Sequence, residues 1–461
     1  MKLSRSKNMR QSIIAATVAS LAAVSVSAFA QLAAVDVAKL GTTLTPMGAE
    51  KGANASGKIP AWDGGIIKPV AGFKAKGYYP DPYPNDKILF TIAGAKDADK
   101  YKDNLSQGQI AMLKQYPTYK LNVYDTRRSA SYPAGHYKET AECAAKAKLA
   151  TGGNGVVGCV GGTPFPIPKN GNEAIWNHQL HYKGNTYAQH WAQAAVTNDG
   201  NYALVKFEYE YDLVYGNLDK KIADREANKL LYYRQETTAP ARLAGAILLV
   251  HETVDQAKDP RNAWLYNPGQ RRVRLAPNVA YDNPGTAADG LRTNDDFGMY
   301  NGATDRYDFK LLGKREMYIP YNSYKMSDPK VKYSDLLKAG HLNQDFSRYE
   351  LHRTWVVEAT LKAGTSHIYS KRVFYIDEDS WNIVLIDKYD GAGKLWRFAE
   401  QHNENWYDLP MWYGTVEVHH DLQSRRYIAM GLRAEEKVIY EPIKRTPADY
   451  TPQNLRGSGV R

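Results

Sequence analysis

The sequence contains only two cysteines, Cys143 and Cys159, among its 461 residues. Two thiols cannot build a disulfide-dense scaffold, and no further ligands at the usual spacing join them in a zinc site. If the chain is exported, the simplest expectation is one disulfide between Cys143 and Cys159. Such a bond would stabilise the glycine-rich loop that it closes by roughly 3 kcal/mol.

Long hydrophobic runs are also scarce. The mean hydropathy of −0.55 argues against a protein with many membrane spans. The one long uncharged apolar stretch, residues 13–26, follows a basic start and precedes the motif Ala28-Phe29-Ala30. This pattern predicts a secretory signal peptide over residues 1–30, cleaved after Ala30, and a periplasmic protein. A retained anchor is the alternative, but the run is short and rich in small residues.

Negatively charged residues are somewhat fewer than positively charged ones, with 49 Asp and Glu against 60 Lys and Arg. Nucleic acid is an improbable partner for an exported protein, and anionic lipid headgroups are a better match for basic surface. Ordinary solubility charge explains the same excess. The composition therefore leaves peripheral membrane contact open and indicates no nucleic-acid partner.

Phenylalanine is rare, with 10 residues against 34 tyrosines, and tyrosine favours half-buried strands and wet-edged clefts. Residues 31–90 are rich in Pro and Gly and predict an extended N-terminal arm. Residues 91–435 form the predicted β-rich domain, with an insertion at 277–345, and residues 436–461 form a C-terminal tail. Two helices are predicted, Ser106–Lys114 and Glu139–Ala150.

Alternation of apolar and polar residues predicts the strands. It is clearest over Tyr202–Tyr215, where Phe207, Tyr209, Tyr211 and Leu213 share one face. Further strands follow, joined by hairpin turns, and helical material is scarce. The fold expected is mainly β, a strongly curved antiparallel sheet or half-barrel with a few helices and long Pro/Gly-rich segments. An incompletely filled half-barrel would hold an apolar cavity. An outer-membrane barrel is the rival architecture, which the uneven strand spacing and Pro-rich insertions disfavour.

Catalytic motifs are weak. The sequence has no G-x-S-x-G and no P-loop, and His251-Glu252 lacks the second histidine of a zinc protease. His178 and His181 have a possible ligand spacing but no carboxylate at a diagnostic distance. Asp377-Glu378-Asp379 is most simply a hairpin turn. We therefore expect no enzyme, no metal and no cofactor.

Several separated motifs resemble one bacterial family, domain of unknown function 1329. The motifs are Ile59-Pro60-Ala61-Trp62, Trp264-Leu265-Tyr266-Asn267-Pro268-Gly269-Gln270, Arg348-Tyr349-Glu350-Leu351-His352-Arg353 and Lys371-Arg372-Val373-Phe374-Tyr375-Ile376-Asp377. The family is similar to the outer-membrane lipoprotein carriers of the Lol system (LolA and LolB), in which a curved half-barrel holds acyl chains. The resemblance also implies a setting beside RND-type exporters and an outer-membrane partner.

The favoured hypothesis is a periplasmic carrier that binds a lipid, a lipoprotein acyl chain or another hydrophobic molecule, as an accessory to an RND-type exporter. The alternatives are a secreted carbohydrate-binding or glycoside-active protein and a structural subunit of an envelope complex without a ligand. The residues expected to line the cavity are Phe207, Tyr209, Tyr211, Leu213, Trp264, Trp355 and Val357.

Overall fold

One large antiparallel sheet dominates the computed structural model, which describes residues 34–75, 77–225, 228–276, 279–436, 443 and 445–458. The predicted signal peptide, residues 1–30, lies outside the described residues. In chain order the strands are β1 (Phe90–Ala93), β2 (Lys120–Val123), β3 (Lys148–Leu149), β4 (Val156–Val157), β5 (Thr186–Val196), β6 (Tyr202–Leu213), β7 (Leu231–Ala239), β8 (Ile247–Glu252), β9 (Asn262–Asn267), β10 (Arg272–Leu275), β11 (Tyr307–Pro320), β12 (Tyr349–Leu361), β13 (Lys371–Asp377), β14 (Ile383–Tyr389), β15 (Leu395–Trp406), β16 (Met411–Asp421) and β17 (Arg426–Leu432).

The helices are few and short. They are α1 (Ala34–Val37), α2 (Gly94–Lys100), α3 (Gln107–Gln115), α4 (Ala134–Ala144), α5 (Gly171–Leu180), α6 (Ile222–Arg225), α7 (Tyr333–Leu336) and α8 (Pro452–Ser458). Helix α3 begins where the sequence predicts it, because Ser106 and Gln109 form a reciprocal capping box. Helix α4 starts and ends earlier than predicted, since the chain turns after Ala144 and enters β3.

The large sheet has 15 strands in the order β1-β2-β12-β13-β14-β15-β16-β17-β5-β6-β7-β8-β9-β10, and β11 pairs with β12. A single parallel pair joins β2 to β12, and the other pairings are antiparallel. Among the described residues the order has two free ends, so the sheet is open. The predicted fold class, a curved antiparallel sheet with few helices, is confirmed.

Strand β11 is the main element that the sequence did not predict. It lies inside the predicted insertion, and its 14 residues pair with β12 almost throughout. The alternation of β11 is hidden because the register shifts between Leu311 and Gly313, where Gly313 has a φ of +104°. A bulge moves the following side chains to the other face, so the period-2 pattern is broken in the sequence.

The two halves of the sheet are filled differently. Over β11–β15 the core is solid, and it includes Met47, Ile59 and Tyr79 from the predicted arm. Helix α5 packs directly against β11 and β12 in this half. In the half formed by β5–β10, one face meets Tyr450 and Leu455 near the C-terminus, and the other face borders a cavity.

Candidate functional site

A cavity of about 690 Å³ lies against one face of strands β5–β10 and β16–β17. Volumes of 300–1,000 Å³ are typical of sites that bind small molecules. The strand residues that line it include Tyr187, Gln189, Trp191, Tyr209, Tyr211, Leu231, Tyr233, Gln235, Leu248, Val250, Glu252, Leu265, Asn267, Arg274, Leu275, Gln401, Trp412, Tyr413, Glu417 and Met430. Aromatic and aliphatic side chains predominate, so the walls suit an apolar ligand.

Strand register explains why these side chains share one face. Tyr187 pairs with Tyr211, which pairs with Tyr233, which in turn pairs with Val250. Directly paired residues of antiparallel strands point to the same side of a sheet. A continuous wall of four strands therefore follows from the ladder, with ring centroids 5.5 Å apart between Tyr187 and Tyr211 and 5.0 Å apart between Tyr211 and Tyr233.

Residues 279–301, here called the roof segment, complete the cavity together with the end of α5. Side chains from the sheet hold its backbone: Gln193 Nε2 donates to the carbonyl of Ala287 at 2.7 Å, and Arg397 Nη2 donates to that of Gly290 at 2.8 Å. The roof segment has little regular structure, so these side-chain bonds substitute for a ladder in satisfying its backbone.

A buried charge network anchors the roof segment to the sheet. Asp295 lies 2.9 Å from Arg372, and Asp296 lies 2.9 Å from Lys388, with all four side chains almost inaccessible to solvent. Burial alone would raise the pKa of Asp296, but the positive charges of Lys388, His419 and Arg372 outweigh burial and hold that pKa far below its usual range. Asp296 is therefore ionised at neutral pH, and the anchor is a true ion pair.

The polar groups of the wall form a tyrosine–glutamine cluster. Tyr413 donates to Gln189 Oε1 at 2.7 Å, and the hydroxyls of Tyr209 and Tyr413 are 2.6 Å apart. Burial raises the pKa of Tyr209 well above its usual value, so its hydroxyl stays neutral. Among the described residues, Trp191 Nε1 and Trp412 Nε1 have no hydrogen-bond partner. These donors are available to a ligand or to water.

Four charged groups of the lining, Glu252, Arg261, Arg433 and Glu417, have partners. Glu252 forms an ion pair with Arg261, and Arg433 lies 2.8 Å from Glu404. Glu417 accepts from His419 Nε2 at 2.6 Å and from the backbone N–H of Met299 at 3.2 Å. The carboxylates that line the cavity are thus engaged by the protein itself.

Among the described residues, three cations of the lining lack such partners: Arg274, which is exposed, and the less exposed Lys183 and Arg292. In the described part of the chain no carboxylate lies within 4.0 Å of Lys183 or Arg292, while Lys183 Nζ donates to the carbonyl of Gln179 at 3.1 Å. Burial lowers the pKa of Lys183 to about 8, against a smaller opposing effect of Glu252. Burial also lowers the pKa of Arg292. Both groups remain largely protonated at neutral pH.

The mouth of the cavity lies at the β9–β10 hairpin. Leu265 and Leu275 line the cavity, yet they are 44% and 60% exposed. Arg271, Arg272 and Arg274 are exposed beside them. The mouth therefore combines exposed apolar side chains with a cluster of positive charge on an edge strand.

The residues predicted to line the cavity fall in three places. Tyr209 and Tyr211 line it, and Phe207 and Leu213 are buried in the hydrophobic cluster beside it. Trp264 lies on the opposite face of β9, packed with the cluster around Tyr450. Val357 and Trp355 belong to the solid half of the sheet, where Trp355 stacks on Trp381 with ring centroids 6.3 Å apart.

Two further predicted features have defined positions. Cys143 and Cys159 form a disulfide with an S–S distance of 2.01 Å, which confirms the predicted pairing. Asp377-Glu378-Asp379 occupies the tight connection between β13 and β14, as the sequence indicates. Asp377 and Asp379 also lie close to His352, with one donor atom from each within 4.8 Å of the others.

This buried cluster differs from an open metal site. Arg128 donates to both carboxylate oxygens of Asp379, at 2.9 and 2.6 Å, and so neutralises that charge. Burial and the charge of Asp379 raise the pKa of Asp377 to about 7. His352 Nε2 faces Glu350 at 3.1 Å. Asp377 is therefore partly protonated near neutral pH, and its hydrogen bonds with Ser380 help to fix the hairpin.

Sequence reasoning missed the roof segment and the positive charges of Lys183 and Arg292. An isolated bridge between Pro284 and Thr293 sets the position of Arg292, and the periodicity of strands and helices does not report such a bridge. None of the described helices is long and apolar enough to cross a membrane.

The chain is thus a large antiparallel β protein with an open sheet and an internal cavity lined largely by aromatic and aliphatic side chains. A model of the family DUF1329, described as a protein of unknown function, matches residues 93–456, and the chain belongs to this family. The Pseudomonas aeruginosa relative named Uncharacterized protein PA3922 is 52% identical over 446 residues, which are 96% of this chain and 98% of the relative.

Two solved structures show more distant likeness. One is a domain from Vibrio parahaemolyticus, provisionally titled an outer membrane lipoprotein-sorting protein, with 12% identity, a TM-score of 0.43 and coverage of 62% of this chain and 97% of that one. The other is a DUF1329 family protein from Desulfovibrio piger, with 14% identity, a TM-score of 0.40 and coverage of 59% and 92%.

Proposed function

We propose that this protein is a carrier that binds a hydrophobic molecule, such as a lipid or an acyl chain, in the cavity beneath β5–β10. The observation that carries the proposal is the cavity of about 690 Å³ with its wall of aromatic and aliphatic side chains. Each buried methylene group contributes about 0.8 kcal/mol, so a long chain can be held with few polar contacts.

Binding and release, rather than bond formation, are the chemistry proposed. Glu252 and Glu417 are the carboxylates of the lining, and each is engaged by protein donors. This engagement favours a binding role over a pair of free carboxylates such as glycoside hydrolysis requires. A structural subunit without a ligand would have a filled sheet interior, so the cavity favours the carrier.

The proposal also specifies the compartment in which the protein acts. The signal-peptide motif of residues 1–30 supports export to the periplasm. The family resemblance supports a role as an accessory to an RND-type exporter and an outer-membrane partner. In this setting the carrier would accept its ligand at one membrane and release it at another site in the envelope.

The β9–β10 hairpin supports contact with an anionic lipid surface during loading. Leu265 and Leu275 are exposed at the mouth, and Arg271, Arg272 and Arg274 flank them. Basic side chains near a membrane contribute about 1 kcal/mol each. Wild-type protein should sediment with phosphatidylglycerol vesicles more than with phosphatidylcholine vesicles, and the R272Q/R274Q variant should lose that preference. Equal sedimentation of both proteins would contradict the membrane contact.

The carrier proposal is tested by blocking the cavity. Leu248 lines it, whereas Leu312 is exposed on β11, outside the lining. After delipidation, wild type and L312W should bind a fluorescent fatty-acid probe, and L248W should bind it at least about tenfold more weakly, because the indole fills space needed by the chain. Absence of probe binding by wild type, or equal binding by L248W, would overturn the proposal.

A further inference from the structure

The charges of the cavity lining do not balance. Arg261 is paired with Glu252 and Arg433 with Glu404, as described above. Lys183 and Arg292 then remain, with the exposed Arg274 at the mouth. Glu417 accepts hydrogen bonds from His419 and from the backbone of Met299. The lining therefore carries an excess of positive charge inside an apolar site.

Of Lys183 and Arg292, Arg292 gives the stronger evidence for an anionic ligand. Its side chain is only 5% exposed, and its recorded hydrogen bond runs from Nη1 to the carbonyl of Thr293, at 3.1 Å. Within the described residues, its Nε atom has no partner. The guanidinium also lies 5.5 Å from the ring of Phe297, another residue of the lining. The charges of Glu417, Asp296 and Asp295 partly oppose the effect of burial on the pKa of Arg292, but none of these carboxylates lies within 4.0 Å of it. A neutral cavity ligand would therefore leave the guanidinium without a direct anionic partner.

The backbone is shaped to keep the guanidinium in place. The bridge between Pro284 and Thr293 brings the two ends of a turn together. Gly285 stands inside that turn, and a Cβ there would approach Arg292 Nη1 to 2.4 Å. The glycine thus leaves room for the charged head of Arg292 beside the cavity.

Physical chemistry requires a counter-charge for such a group. A buried guanidinium without a paired anion is costly, and the cost is offset when a carboxylate or phosphate occupies the site with bidentate geometry. Lys183, a partly buried residue of the lining, adds a second positive charge to the cavity. The apolar walls would hold the rest of such a ligand.

From these observations we infer that the cavity selects an amphiphile with an anionic head, a carboxylate or a phosphate, which Arg292 binds. This inference rests on the proposed carrier function and deepens it. The headgroup chemistry decides which hydrophobic molecules are bound, and the walls supply affinity for the chain.

The test compares probes that share one chain. Delipidated protein is titrated with hexadecanoate, hexadecyl phosphate and the neutral alcohol hexadecanol. Wild type should bind at least one of the two anions about tenfold or more tightly than the alcohol. In R292M that ratio should fall to near one with little change in affinity for hexadecanol, and R292K should retain part of it. The control R242M changes an exposed arginine outside the lining and should bind as wild type.

The outcomes distinguish failure of the anionic-head inference from failure of the carrier proposal. Equal binding of anions and alcohol by wild type would overturn the anionic-head inference and leave the carrier intact. Absence of binding to all three probes would overturn the carrier as well. Tighter binding of hexadecanoate would identify the head as a carboxylate, and tighter binding of hexadecyl phosphate would identify it as a phosphate. Apo R292M should melt no lower than apo wild type, since an unpaired buried charge is removed; a lower melting temperature would assign Arg292 a structural role and contradict the inference.

Discussion

Removing the ammonium group of Lys388 should strongly weaken the anchor of the roof segment. Lys388 Nζ lies 2.9 Å from Asp296, and both side chains are 0% exposed. In K388M the carboxylate of Asp296 would stay buried, with Arg372 at 3.7 Å as its remaining close cation. Lys388 Nζ also lies 2.9 Å from His419 Nδ1, so the variant loses a second contact.

The expected cost follows from the burial of the pair. Breaking a buried ion pair by removing one partner typically costs 3–5 kcal/mol, because the other charge is left uncompensated. Arg372 still offers partial compensation, so we expect about 3 kcal/mol for K388M. The double variant K388M/D296N removes both charges and should cost less than the sum of the two single variants, by about 1–3 kcal/mol.

Urea unfolding monitored by tryptophan fluorescence measures these free energies. The control is K362M, since Lys362 and Asp308 form a solvent-exposed pair at 4.0 Å that should contribute no more than about 1 kcal/mol. Hydrogen exchange in residues 279–301 should also be faster in K388M. A loss in K388M as small as that in K362M would refute the assignment of the network as the anchor.

Three further predictions concern stability. The C143S/C159S variant should lose roughly 3 kcal/mol in urea unfolding, because the bond closes a loop with a sequence separation of 16, and a loss below about 1 kcal/mol would contradict this. The free energy of unfolding of G48A should fall by more than about 1 kcal/mol, because Gly48 has a φ of +89° and a Cβ there would lie 1.9 Å from the carbonyl oxygen of Pro166. Gly48 belongs to the predicted N-terminal arm, so unchanged stability would show that packing of the arm contributes little to stability. The pKa of Asp377 is raised to about 7 in the folded protein, so protonated Asp377 contributes stability that is fully present below about pH 4 and is lost as the pH rises through 7. The melting temperature of D377N should therefore fall less between pH 5 and pH 8 than that of wild type. An equal fall in both proteins would contradict the raised pKa.

The fold class could be predicted because, in strands such as β6, the alternation of apolar and polar residues matches the pairing of the strand in the sheet. The alternation in β6 survives in the structure because its ladder with β5 runs without a shift from Thr186–Asp212 to Val196–Tyr202. In β11 the bulge near Gly313 interrupts the pattern, and the strand was read as part of an insertion. A bulge is set by pairing with a distant strand, which local periodicity does not report.

The cavity was predictable only in part for the same reason. Tyr209 and Tyr211 were found through alternation on one strand. Trp264 was predicted to line the cavity, but it lies on the opposite face of β9, and its neighbour Leu265 faces the cavity. Arg292 reaches the site through the folding of the roof segment over the sheet. Periodicity specifies the faces of a strand, but tertiary contacts decide which face stays open.

The central claim is that the cavity holds a hydrophobic ligand, and native mass spectrometry of the protein purified from the envelope of the cells that produce it tests this most directly. The account predicts a reproducible adduct at one ligand per chain, released by organic extraction and identified as an anionic amphiphile. A mass that equals the bare chain, and that stays so after incubation with fatty acids and phospholipids, would contradict it.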